Sequence, residues 1–319
     1  MNCIETKDLE KAFGRERVLK KISMQVAEGS IHGFLGPNGA GKTTAIKTIL
    51  GLYRPDGGYV KLFGEPVKFG NIRPHLSSIC YLPQDPVFPE QYSGIEVMEM
   101  IAAFYNIPKA ERIEQIKSIL KEFDLLKAGG KAVKTFSRGM KQRVGLATVW
   151  LPKPKLMILD EPVSALDPEG RYLALEKIKE AAGETTVFFS SHILSDVERV
   201  ADNITILSQG SILLHSSMAE IRNKYVSSSF ILKVPPEKVA ATEKLLAQIP
   251  EVISFKIEQR GISIQVDSSK VELAGKRILR AVLAEDITVM RFAEQEATLE
   301  DVFMQLINGG ESDEADALA

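Results

Sequence analysis

This sequence predicts an α/β fold followed by a second, smaller α+β unit, and three observations carry that prediction. A complete phosphate-binding loop sits between a short apolar strand and a helix. Apolar segments alternate with amphipathic helices up to about residue 225. Beyond that point the order of segments becomes β-α-β-β-α-β, the ferredoxin-like arrangement.

The loop reads Gly36-Pro37-Asn38-Gly39-Ala40-Gly41-Lys42-Thr43, following the apolar run Ile31–Leu35. Its glycines let the backbone curl until successive N–H groups face one concavity. The helix that follows adds unpaired N–H groups and the positive end of its dipole. Lys42 can reach the outer phosphates and the Thr43 hydroxyl can ligate Mg²⁺. Thr44 to Leu50 reads as the helix, ending at Gly51. Gly36 to Thr44 are therefore the expected phosphate contacts.

Pro55-Asp56-Gly57-Gly58 is a turn signal feeding a strand at Tyr59–Phe63, and Ile79–Leu82 reads as the next strand. Helices are expected at Ile95–Tyr105, Lys109–Phe123 and Arg138–Leu151, the last with Ser137 as N-cap. A small hydroxyl, the exposed N–H groups and Gly139 could make that helix start a second phosphate-facing surface, although the local sequence alone favours an ordinary capped helix. Leu156–Leu159 is an apolar strand ending in Asp160-Glu161-Pro162. Burial of such a strand between helices pushes Asp160 to its carboxyl end, facing the loop, where ligands collect in open α/β sheets. Asp160 suits Mg²⁺ coordination, and Glu161 suits the general base for an attacking water. A helix at Pro168–Ala182 and strands at Thr186–Ser190 and Ile204–Leu207 complete the alternation.

The boundary is marked by Ser227-Ser228-Ser229, giving units of 1–225 and 226–308. The second unit reads as strand Phe230–Val234, helix Lys238–Ile249, strands Ile253–Glu258 and Ile262–Val266 split at Gly261, helix Val271–Glu285 and strand Ile287–Phe292. A last helix is expected at Thr298–Ile307, and the acidic segment 309–319 is expected to be disordered.

Taken in order, the phosphate loop, Gln84, Ser137-Arg138-Gly139-Met140, Leu159-Asp160-Glu161-Pro162, Ser164-Ala165-Leu166-Asp167 and His192 resemble the nucleotide-binding subunits of ABC transporters. The resemblance covers residues 1 to 225. It implies a P-loop NTPase of the ABC ATPase type with a helical signature subdomain, using ATP and Mg²⁺. It also implies that Phe13 stacks on adenine and that Gln84 senses both Mg²⁺ and the membrane partner. Asp167 would be a dimer-interface acid and His192 the switch residue at the γ-phosphate, with Glu161 and His192 as the catalytic pair. Ser137 and Gly139 would contact the ATP held by an opposite ATPase subunit, of the same or a different kind.

The signature departs from the usual Leu-Ser-Gly-Gly-Gln at Phe136, Arg138 and Met140, and Arg138 places a cation at a helix start, where the dipole disfavours it. Residues 226–308 resemble the accessory domain of ATPases that serve two-component, ABC-2-type exporters. The resemblance thus implies a separate transmembrane permease and a place on the cytoplasmic face of the membrane. A soluble ABC-type ATPase working without a permease, or an importer ATPase, are the alternatives.

Composition narrows the remaining classes. The 319 residues carry a net charge of −2, with no domain-wide basic field, so nucleic acid is not expected as a partner. Two cysteines, Cys3 and Cys80, make no disulfide framework and suit a reducing compartment. No apolar run approaches the ~18 residues of a membrane span, and Met1–Lys21 lacks a signal core. A guanine-specific Asn-Lys-x-Asp motif is missing, since Asn223-Lys224 is followed by Tyr225-Val226.

Overall fold

Two long strands at the start of the chain escape the sequence pattern. β1 (Asn2–Phe13) and β2 (Glu16–Ala27) pair antiparallel, but register shifts interrupt the ladder between Thr6 and Leu9 and again between Leu9 and Lys11. Each bulge resets the in–out alternation, so charged and apolar residues mix without a period of two. In the computed structural model, residues 2–225, 229–258, 261–295, 299–300 and 302–303 are described.

From there the first unit runs β3 (Ile31–Leu35), α1 (Lys42–Ile49), β4 (Gly57–Leu62), β5 (Glu65–Pro66), β6 (Ile79–Leu82), α2 (Gly94–Phe104), α3 (Lys109–Glu122), α4 (Arg138–Trp150), β7 (Leu156–Leu159), α5 (Pro168–Glu180), β8 (Thr186–Ser191), α6 (Leu194–Val200), β9 (Asn203–Ser208), β10 (Ser211–Ser217) and α7 (Met218–Tyr225). One sheet has the order β2-β1-β4-β5; the other has the order β10-β9-β3-β8-β7-β6. In the second sheet β3, β6, β7, β8 and β9 are parallel, and β10 closes the edge antiparallel. β10, α6 and α7 are further elements that the sequence pattern does not announce.

The parallel strands are buried on both faces and read as continuous apolar runs, which is why they are legible in the sequence. Helix α1 places Ala45, Ile46 and Ile49 in one core with Ile4, Ile22 and Leu62 of the first sheet and Phe34, Ile158 and Phe188 of the second. Burying that face on both sides holds the phosphate loop at the carboxyl ends of β3, β7 and β8. Helices α2, α3 and α4 pack on one another as a separate helical layer, in line with the expected signature subdomain.

The compact units divide between Met218 and Ala219, ahead of the boundary that the serine run marks. The second unit runs β11 (Ser229–Lys233), α8 (Val239–Leu246), β12 (Val252–Glu258), β13 (Gly261–Val266), α9 (Val271–Ala284) and β14 (Arg291–Gln295). Its antiparallel sheet has the order β12-β13-β11-β14, the ferredoxin-like arrangement expected from β-α-β-β-α-β. The last strand starts later than the run Ile287–Phe292 suggests. Ile287 instead donates its N–H to Val282 O and closes the end of α9, with Asp286 left-handed at φ 51°. Leu299–Glu300 and Val302–Phe303 are helical. The remainder of the expected last helix and the acidic segment 309–319 lie outside the described residues.

Candidate nucleotide site

The phosphate loop forms because its neighbours exclude any side chain at two points. A Cβ on Gly36 would overlap the carbonyl oxygen of Leu207, and Gly41 sits at φ 105° against Val18 and Leu19. The loop is thereby folded tightly over β9 and β2. Inside it, Lys42 Nζ donates to Gly36 O (2.7 Å) and Pro37 O (3.2 Å). The same nitrogen lies 3.2 Å from Glu161 Oε1, and both side chains are almost fully enclosed. Ala40 is buried and turns its methyl inward against Gly36.

A cleft of about 330 Å³ opens above the loop, lined by Asn38, Gly39, Gly41, Lys42, Thr43 and Thr44 together with Val18, Gln84 and Glu161. Its dimensions and donors suit a phosphate chain. Asp160 is fully buried behind Glu161. Its Oδ1 accepts from Ser190 Oγ (2.6 Å), and Ser190 Oγ in turn accepts the Glu161 N–H (2.8 Å). Asp160 Oδ2 has no hydrogen-bond partner. An enclosed carboxylate oxygen without a donor, together with the Thr43 hydroxyl and Gln84 that line the cleft, is the kind of oxygen donor set that a hard cation such as Mg²⁺ takes.

Glu161 sits in the left-handed region at φ 49°, which turns its carboxylate back from the end of β7 toward the loop. His192 Nδ1 donates to Glu161 Oε2 (2.8 Å), because the carboxylate can only accept. Lys42, Asp160, Glu161 and His192 are thus brought together from three strand ends, as the sequence suggests.

Phe13, Ser137 and Gly139 stand outside this cluster. Phe13 ends β1, is 47% exposed and stacks edge-on against Tyr53 at 5.4 Å. Ser137 caps α4 by accepting from Met140 N (3.2 Å), and Gly139 faces Ala165 O. Arg138, unfavourable toward the dipole, is compensated by Asp85, which accepts from both Nε (3.1 Å) and Nη2 (2.8 Å). Asp167 caps α5 through Gly170 N and accepts from Arg143 Nη2 (2.9 Å). The Arg143 hydrogen bond holds the Asp167 carboxyl below the usual carboxylate range.

Two members of the cluster are missed by sequence reasoning. Val18 gives no signal, being one apolar residue in a strand with a broken period. Ser190 does give one: Ser190-Ser191 are hydroxyls at the carboxyl end of a buried apolar strand, and a buried hydroxyl needs a partner.

Along its length this chain is similar to known proteins. Residues 19–164 match the family described as ABC transporter, and residues 217–307 match the family described as ATP-binding protein DrrA1-3-like, C-terminal domain. The uncharacterized ABC transporter ATP-binding protein YxlF of Bacillus subtilis is 34% identical, covering 96% of this chain and 99% of that protein. The bacitracin transport ATP-binding protein BcrA of Enterococcus faecalis is also 34% identical, covering 96% of this chain and 97% of that protein. A solved ATP binding subunit of an ABC transporter superposes with a TM-score of 0.64 at 31% identity, covering 70% of this chain and 93% of that one.

Proposed function

Because this chain belongs to the family of ABC transporter ATP-binding proteins, we propose that it drives an exporter whose membrane-spanning part is a separate permease chain. It is an ATPase of that family. Among the described residues no helix is long and apolar enough to cross a membrane, which fits a division of labour between chains. The bacitracin-transport relative and the accessory-domain match support the exporter reading, and a place on the cytoplasmic face is part of the same proposal.

The observation that carries the reading is Lys42 Nζ held between the loop carbonyls and Glu161, at the floor of the cleft. In the proposed reaction the loop N–H groups and Lys42 hold the ATP phosphates. Thr43, Gln84 and Asp160 would hold Mg²⁺, which neutralises phosphate charge when bound. Glu161 accepts a proton from water as the water oxygen bonds to the γ-phosphorus and the bond to the ADP oxygen breaks. His192, hydrogen-bonded to Glu161, keeps that carboxylate aimed. Ser137 and Gly139 sit on a distinct, exposed helix start, which suits contact with the ATP of a second ATPase subunit. Phe13 is exposed at the end of β1, against Tyr53, which suits stacking on adenine.

Lys42→Ala tests the reading. The variant should remain folded, lose the ATP-induced gain in thermal stability and lose turnover. A wild-type response would remove the loop from phosphate binding. Co-purification with a membrane partner, then substrate movement from inside to outside in vesicles carrying both chains, tests the exporter role; uptake in the opposite direction would make it an importer.

A further inference from the structure

Like Asp160 Oδ2, the Tyr81 hydroxyl is enclosed and has no hydrogen-bond partner. Tyr81 lies on β6 and pairs in parallel with Ile158 of β7. Residues two apart on a strand share a face, so Asp160 follows Ile158 on the same side of the sheet as Tyr81. That side is the one α1 covers, and Tyr81 packs against its core. The register continues to the strand ends, where Asp160 N donates to Leu82 O (2.8 Å). Tyr81 and Asp160 are therefore neighbours on adjacent strands.

A buried hydroxyl without a partner costs roughly 1–3 kcal/mol, so two such oxygens on one face of adjacent strands, one a donor and one an acceptor, invite a shared partner. They do not bond each other directly. A water between them would satisfy both, since such a bridge is nearly as favourable as a direct bond. Burial, and then the charge of Asp160, push the Tyr81 ionisation upward, which keeps the hydroxyl protonated and able to donate.

We propose that Tyr81 is a positioning residue for the metal that accompanies the nucleotide: its hydroxyl donates to a water of the hydration shell that Asp160 Oδ2 holds. This rests on the nucleotide reading of the cleft. Within the protein the hydroxyl has no hydrogen-bond partner, and the hydration shell of an entering Mg²⁺ would supply one. Removing it therefore has opposite effects in the two states.

The test compares the full chain with its Tyr81→Phe variant in thermal scans. Three conditions are needed: no ligand, a non-hydrolysable ATP analogue with chelator, and the analogue with a Mg²⁺ titration. Tyr105→Phe is the control, because the Tyr105 hydroxyl already donates to Ile79 O (2.8 Å). The expected result is a free Tyr81→Phe protein at least as stable as wild type and an unchanged chelator condition. The Mg²⁺ concentration at half-maximal shift should rise about fivefold, the loss of one neutral hydrogen bond. Tyr105→Phe should leave that midpoint alone. An unchanged midpoint in Tyr81→Phe, or equal loss with and without Mg²⁺, would make the hydroxyl merely structural and overturn the proposal. A wild-type protein with no Mg²⁺-dependent gain would instead remove the nucleotide reading, and this role with it.

Discussion

Lys42 Nζ lies 3.2 Å from Glu161 Oε1, so the cation of the phosphate loop and the carboxylate at the end of β7 already neutralise each other in the free protein. Both are enclosed, and an enclosed charge left alone is far costlier than one that is paired. Phosphates entering the cleft must therefore compete with Glu161 for Lys42, and the carboxylate released by that competition is the one proposed to take a proton from water.

Glu161→Gln follows from this pairing. Hydrolysis should fall by roughly 10²- to 10⁴-fold, the usual worth of a general base. The free variant should melt below wild type, because Lys42 loses its ionic partner. ATP should then stabilise the variant by more than it stabilises wild type, since no carboxylate competes. Single-turnover hydrolysis and thermal scans with and without ATP check both parts; a smaller ATP gain in the variant would contradict the competition.

Ser190→Ala should be costly for so small a change. It removes the donor to Asp160 Oδ1 and the acceptor of Glu161 N–H at once. Two buried polar groups then lose partners, at about 1–3 kcal/mol each. Denaturant unfolding should show a loss of about 2–6 kcal/mol, and turnover should fall while the ATP concentration at half-maximal rate changes less. A stability equal to wild type would mean that another group replaces the hydroxyl.

Gly36→Ala should abolish ATP binding without unfolding the second unit. The added methyl meets the backbone oxygen of Leu207, which cannot rotate away as a side chain would. The loop must lift from β9, carrying Lys42's two carbonyl partners with it. Equilibrium binding of a fluorescent ATP analogue measures this, and retained affinity would show that the loop accommodates the methyl.

Acid should weaken the first unit through His32. Burial, with a smaller contribution from His215, lowers the His32 pKa from 6.5 to about 3. Its ring, on β3, hydrogen-bonds Thr205 of the neighbouring β9 (2.8 Å). The unfolded chain therefore binds a proton below pH 6.5 that the folded one refuses until about pH 3. Stability is fully present above the unfolded value and declines as pH falls through that window, by up to about 1.4 kcal/mol per pH unit. His32→Gln should flatten the acid limb of a stability–pH curve by that one proton; an unchanged slope would place the proton uptake elsewhere.

Legibility of this chain in its sequence follows from where each segment is buried. β3, β6 and β7 are buried almost throughout, and their largely apolar runs name them. β1 and β2 carry bulges that scramble the alternation, so twelve-residue strands pass unnoticed. At the site, spacing alone places Lys42, Thr43 and Asp160, because the loop and the strand end are contiguous motifs. Ser190 and Tyr81 depend on which strand lies beside which, and register between β6, β7 and β8 is written in three dimensions. The compensation of Arg138 by Asp85 is invisible for the same reason, since the two are far apart in the chain and meet only after folding.

The strand order of the second unit sets a timetable for its making. β11 is the first strand synthesised, yet its neighbours are β13 and β14. Lys233 meets Arg291 and Ser229 meets Gln295, at the opposite end of the unit's sheet-forming sequence. Until the ribosome has released residues up to Gln295, β11 has an unpaired backbone edge bearing Ile231 and Leu232, a template for pairing with another chain. Such non-local closure is slow compared with the pairing of adjacent hairpins. A nascent chain that pauses before Arg291 would thus present its stickiest strand at the moment when nothing of its own can cover it.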